Sequence, residues 1–125
     1  MSVLTPDDPS LPARLAVPGA VLVACLCADW CGTCREYAPK LDELSARLPH
    51  HVFVWIDIET HPDFTEDDDI ENFPTLLLHD GRAIRFYGPM LPHIGHLERL
   101  LQSVEETPLD AGVTGPDVRG LLQRA

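Results

Sequence analysis

Cys27-Ala28-Asp29-Trp30-Cys31-Gly32-Thr33-Cys34-Arg35 is the stretch on which the reading of this chain turns. It ends an unbroken apolar run, Gly19 to Ala28, and opens a pattern in which Tyr37, Leu41, Leu44 and Leu48 recur at helical spacing. The apolar run predicts a strand over 20–27 that is buried on both faces. The stripe predicts a helix over 31–48, kinked at Pro39. Two cysteines separated by two residues therefore fall at a strand–helix junction. Cys31 sits at the helix N-terminus, where unpaired backbone N–H groups and the macrodipole favour thiolate over thiol. A thiol so placed drops from ~8.5 into the range ~3.5–7.5. Cys34 follows one turn later, within disulfide reach of Cys31, deeper and less nucleophilic. An exposed attacker and a buried resolver are what thiol–disulfide exchange requires. Arg35 adds a cation, and Trp30 offers a flat apolar lip to a partner chain.

Outward from this junction the pattern alternates. Ser10 opens a short helix at Leu11-Pro12-Ala13-Arg14-Leu15. Val52 to Ile58 reads as a second buried strand, and Thr65 caps a short acidic helix to about Glu71. Pro74 to His79 predicts a strand, Asp80-Gly81 a hairpin turn, and Arg82–Tyr87 the antiparallel return. From Pro92 a helix turns Ile94, Leu97, Leu100, Leu101 and Val104 inward. The order β-α-β-α-β-β-α fits an α/β domain over 1–104, a small sheet with helices on both faces. Residues 105–125 carry Gly112, Gly115 and Gly120 and read as a loose tail. In it Pro116 starts a possible short helix presenting Val118, Leu121 and Leu122.

Composition narrows the function classes. Of 125 residues 45% are hydrophobic and 23% charged, a chain that can fold. Nine Lys and Arg against twenty Asp and Glu leave a net charge of −11, which repels nucleic acid and anionic lipid. No apolar run reaches the ~20 residues that span a bilayer. Residues 1–19 lack the basic and apolar regions of a signal peptide, so the expected compartment is the cytoplasm. Cysteines there are expected to be catalytic, metal-binding or buried rather than a disulfide framework.

The A-D-W-C-G-T-C segment (Ala28–Cys34) resembles the A-x-W-C-G-P-C of the thioredoxin family. Pro39 in the helix, Asp57 ending the second strand, and Phe73-Pro74-Thr75-Leu76 are similar to further family features, over roughly residues 10–104. The resemblance implies the thioredoxin fold, a central mixed sheet of four to five strands with helices on both faces. It implies a thiol–disulfide oxidoreductase with Cys31 as nucleophile and Cys34 as resolving cysteine. Substrate would be seated by Trp30, Gly32, Thr33, Phe73 and Pro74, with Pro74 cis and facing the disulfide. No cofactor is expected. The expected partners are protein disulfides and a thioredoxin reductase or small-thiol electron donor, with the chain acting as a monomer. Two departures stand out: Cys25 replaces the family's buried Asp, with Phe53 in place of its cationic neighbour, and Thr33 replaces the Pro between the cysteines. Thr33 predicts a less reducing potential than that of C-G-P-C members.

The same residues admit other readings. Zinc on Cys25, Cys27, Cys31 and Cys34 is disfavoured, because Cys25 and Cys27 lie inside a strand rather than on a flexible knuckle. A Cys25–Cys27 bridge is disfavoured by strand spacing, which leaves both as small core residues. The six histidines fall in turns and on the last long helix and read as solvated, and Glu66–Asp69 reads as a solvated helix start. The alternative function is a binding or chaperone module of the same fold with weak or no redox turnover.

Overall fold

Strand β1 (Val21–Cys27) is the axis of the molecule. It pairs in parallel with β2 (His51–Asp57) on one side and antiparallel with β3 (Thr75–His79) on the other. Strand β4 (Ile84–Pro89) adds antiparallel to β3, so the mixed four-stranded sheet runs β2-β1-β3-β4. The structure, a computed structural model, describes residues 3–17, 20–28, 32–48, 50–60, 75–80, 84–89, 93–106 and 118–124. Its helices are α1 (Leu11–Ala16), α2 (Gly32–Arg47), α3 (Ile94–Glu106) and α4 (Val118–Arg124). The acidic helix expected from Thr65, and Gly81 of the expected hairpin turn, lie outside the described residues.

Alternation along β1 divides the core in two. Leu22, Ala24 and Leu26 point to one face, where they meet Val52, Val54 and Ile56 of β2, Leu77 of β3, and Leu11, Leu15, Val118 and Leu122 from α1 and α4. Val23, Cys25 and Cys27 point to the other, with Phe53, Leu76 and Leu78 and the inward stripes of α2 and α3. Every β1 side chain from Leu22 to Cys27 has no exposed surface. Each large aliphatic side chain so buried contributes about 1.5–3 kcal/mol of transfer free energy.

Local chemistry sets the details. Ser10 precedes α1 without capping it through its side chain. Its hydroxyl and its N–H both go to Asp8 Oδ1, at 2.5 and 2.8 Å. Helix α2 continues through Pro39, which has no N–H to bond to the Arg35 carbonyl. On α3, Leu97 and Leu101 are buried while Ile94 and Leu100 pack half-buried against the same cluster. Leu4 N–H donates to Phe53 O at 2.9 Å and Leu4 O accepts from Trp55 N–H at 2.8 Å, covering the outer edge of β2.

Candidate functional site

The face of the sheet that carries Val23, Cys25 and Cys27 is the one α2 covers. Cys34 enters that face from the first turn of α2, three residues before Tyr37 on the same helical stripe, and is fully buried. Its sulfur is bonded to Cys27, with Cα atoms 6.0 Å apart, inside the ordinary span of a disulfide. This corrects the reading of Cys27 as a small core residue: it is buried, but as half of a cystine. It also pairs Cys34 with a cysteine other than the Cys31 that spacing suggested. Cys25 remains a free thiol, with its Sγ 3.7 Å from that of Cys27. A signal existed: alternation puts Cys25 and Cys27 on one face, and the α2 stripe extends back to Cys34. Which face α2 would cover was the missing fact.

Of the other expected site residues, Gly32 is the exposed first residue of α2, with nothing within 4 Å of where a Cβ would lie. Thr33 beside it is half-buried. Trp30, Cys31, Phe73 and Pro74 lie outside the described residues. Thr75, which follows Pro74, is buried and pairs with Leu26, next to Cys27. Across β1, Asp57 pairs with Cys27, and its Oδ1 accepts from the N–H groups of Glu59 at 2.9 Å and Thr60 at 3.3 Å. Asp57 thus caps the turn leaving β2, while Ile58 N–H donates to Cys27 O at 3.0 Å. The histidines are not all in turns or on a helix: His51 begins β2, its ring 6.2 Å from that of Phe53, and His79 ends β3. Among the described residues no group of three or more His, Cys, Asp or Glu could hold a metal ion, and no helix is long and apolar enough to cross a membrane.

Residues 12–94 match the family described as Thioredoxin. The chain is 30% identical over 105 residues to Thioredoxin Asp f 28 of Aspergillus fumigatus, covering 82% of this chain and 94% of that protein. The chain belongs to the thioredoxin family. It is also 38% identical over 58 residues to a thioredoxin of Chlamydia trachomatis, covering 46% of this chain and 57% of that one. For a thioredoxin H10 of Arabidopsis thaliana the figures are 35% over 67 residues, 53% and 44%, so the chain spans about half the length of these two relatives. In fold it is similar to the crystal structure of a poplar thioredoxin h, with a TM-score of 0.70 at 21% identity over 86% of this chain and 100% of that one. A chain of a complex between ferredoxin:thioredoxin reductase and thioredoxin f2 gives 0.70 at 20% identity, covering 83% and 96%.

Within this thioredoxin fold the surroundings of Cys25 are apolar. Its strand partners are Trp55 and Leu76, and Phe53 and Tyr37 belong to the same cluster. Burial pushes the Cys25 thiol well above its ordinary value of 9.0. Burial does the same to the Tyr37 hydroxyl, with Cys25 adding to it, and that hydroxyl has no hydrogen-bond partner among the described residues. A thiol whose value is raised by folding contributes stability in full below its unfolded value, and loses it as pH climbs past that value. Stability should therefore fall from about pH 9 upward, with Tyr37 joining about one unit later. Cys25→Ala, with the Cys27–Cys34 bond intact, should remove about 1.4 kcal/mol per pH unit of that decline. Urea denaturation between pH 8 and 10 measures it. Equal slopes in the two proteins would mean that Cys25 ionises freely in the fold.

Proposed function

We propose that this chain is a protein thiol–disulfide oxidoreductase in which the Cys31 thiolate attacks a substrate disulfide and Cys34 resolves the mixed disulfide. The observation that carries the reading is Cys34: a fully buried sulfur in the first turn of α2, already engaged in a cystine. Family membership supports the same chemistry. Cys31 immediately precedes the first helical residue, where the backbone N–H groups of a 16-residue helix favour the thiolate.

The first step forms a Cys31–substrate disulfide and releases one substrate thiolate. The second forms an internal disulfide through Cys34 and releases the other, so the substrate gains two electrons and the protein loses two. Trp30, Gly32, Thr33, Phe73 and Pro74 form the seat for substrate, with extended chain bonding to backbone beside Pro74. Electrons return from a thioredoxin reductase or from small thiols, and the reductase named with thioredoxin f2 is a model for such a partner. The chain works as a cytoplasmic monomer without a cofactor.

The test is single-turnover reduction of a disulfide-linked protein by the pre-reduced full chain. Wild type should release both substrate thiols, Cys34→Ser should accumulate a mixed disulfide at Cys31, and Cys31→Ser should form none. A folded wild type that reduces nothing would leave the fold as a binding module instead.

A further inference from the structure

We infer that Cys27 is a second disulfide partner for Cys34, so that the oxidised chain isomerises and returns a free thiol to Cys31. The inference rests on the reading of Cys31 as the attacking cysteine. Three features of the site carry it. Cys34 is bonded to Cys27, so its sulfur is not bonded to Cys31. Cys27 and Cys34 have no exposed surface, so an external thiol cannot reach their bond. The sulfur next in sequence to α2 is that of Cys31, which makes internal exchange the route by which the buried bond forms and opens.

The exchange balances. The Cys27 thiolate forms a bond to Cys34 Sγ as the Cys31–Cys34 bond breaks, and the electron pair of the broken bond leaves on Cys31. The proton lost by Cys27 is taken up by Cys31 or by solvent. No further oxidant is consumed, since the substrate disulfide has already removed two electrons from the chain. Cys25 favours the reverse step as well. Cys27 in a cystine carries no hydrogen, so the 3.7 Å contact runs from the Cys25 S–H to the Cys27 sulfur. There it stabilises charge on Cys27 when the bond opens, and burial keeps Cys25 protonated for that purpose.

The consequence is a second activity of the same site. With Cys34 held by Cys27, a disulfide attacked by Cys31 meets no resolver and stays as a mixed disulfide until an external thiol reduces it and frees Cys31 to reopen the buried bond. The chain alternates between a reductase with two working thiols and a capture form with one.

Peptide mapping decides it, because cleavage before aspartate separates the cysteines into Asp8–Ala28, holding Cys25 and Cys27, and Asp29–Leu41, holding Cys31 and Cys34. The reduced full chain is oxidised with hydroxyethyl disulfide, quenched in acid, and labelled with N-ethylmaleimide in denaturant. The expected product is the two peptides joined through Cys27 and Cys34, with maleimide on Cys25 and either maleimide or the hydroxyethylthio group on Cys31. Cys27→Ser should lower the Cys31 adduct about ten-fold, because Cys34 is then always available to resolve it. An oxidised bond confined to Asp29–Leu41 overturns the inference and leaves Cys31 and Cys34 as the working pair. Joined peptides whose maleimide lies on Cys27 or Cys34 also overturn it. A chain that forms no internal disulfide overturns both the inference and the proposed function.

Discussion

Cys25→Asp should lower stability by about 4 kcal/mol at pH 7, among the largest effects available to a single substitution in this fold. The site is fully buried between Trp55 and Leu76 on the sheet, in an apolar cluster that includes Phe53 and Tyr37. An unpaired carboxylate is not accommodated there, so the new side chain stays protonated in the folded protein. The unfolded chain ionises it near ~3.9, and each pH unit above that which the folded form resists costs about 1.4 kcal/mol. The sign is fixed: a carboxyl whose value is raised by folding destabilises increasingly as pH rises above its unfolded value. The deficit against wild type should therefore widen by about 2.7 kcal/mol between pH 5.5 and 7.5 in urea denaturation. A constant deficit would mean that the carboxylate has found a partner or water. Under the proposed mechanism the same group also gains a function once the pH is high enough to ionise it in the fold, because it lies on the face that holds Cys34 and, as a carboxylate, can take that thiol's proton. Decay of a trapped mixed disulfide should then be faster than in wild type at the alkaline end of the range, where the folded carboxyl ionises. A folded variant that decays no faster across pH 6–9 would reduce Cys25 to a packing residue.

Arg119→Ala should cost about 3 kcal/mol, about 10 °C in Tm, without touching a cysteine. From α4 the guanidinium donates through Nη2 to Leu15 O at 2.6 Å, and through Nη1 to Ala20 O at 3.2 Å and His79 O at 3.4 Å. It is among the few buried polar side chains of the described residues. Burial lowers its pKa and the charge of Asp80 opposes that, while Asp80 itself is paired with Arg85 at 2.9 Å. Removing the donor leaves carbonyls at the end of α1, the start of β1 and the end of β3 without it. Arg119→Met keeps most of the stem and should recover only the packing share, which separates the two contributions. A loss below about 0.5 kcal/mol in both would mean that water replaces the guanidinium at no cost.

The sheet and its main helices could be read because their patterns are unambiguous. Residues 20–27 are apolar without interruption, and β1 is buried on both faces for that reason. The stripe from Tyr37 to Leu44 placed α2 and its inward side. The cystine escaped for the same reason that β1 was easy: a strand buried on both faces shows no polar alternation to reveal which side chains share a face with which helix. Once α2 is known to cover the odd-numbered side of β1, Cys27 and Cys34 are brought together by the geometry alone. Ser10 had the right residue type for a cap, but the competing acceptor Asp8 two residues earlier takes its hydroxyl. Arg119 had no signal at all. An arginine in a short helix does not disclose that its acceptors are carbonyls far upstream, and only the folded sheet brings them within reach.

The placement of α4 has a consequence for the order of events during folding. Arg119 meets acceptors 40, 99 and 104 positions earlier in the chain. Closing a loop of about a hundred residues directly costs about 4 kcal/mol of chain entropy. That cost shrinks once β1, β2 and β3 have paired and shortened the path, so α4 docks on a sheet already formed. Until it does, Leu11 and Leu15 lack the Val118 and Leu122 side of their packing. The pair α1–α4 therefore opens before the central sheet and closes after it, and its amides exchange with solvent at a lower free energy than those of β1. The opposite face, where Cys25, Cys27 and Cys34 lie in a separate cluster, stays shut during that breathing.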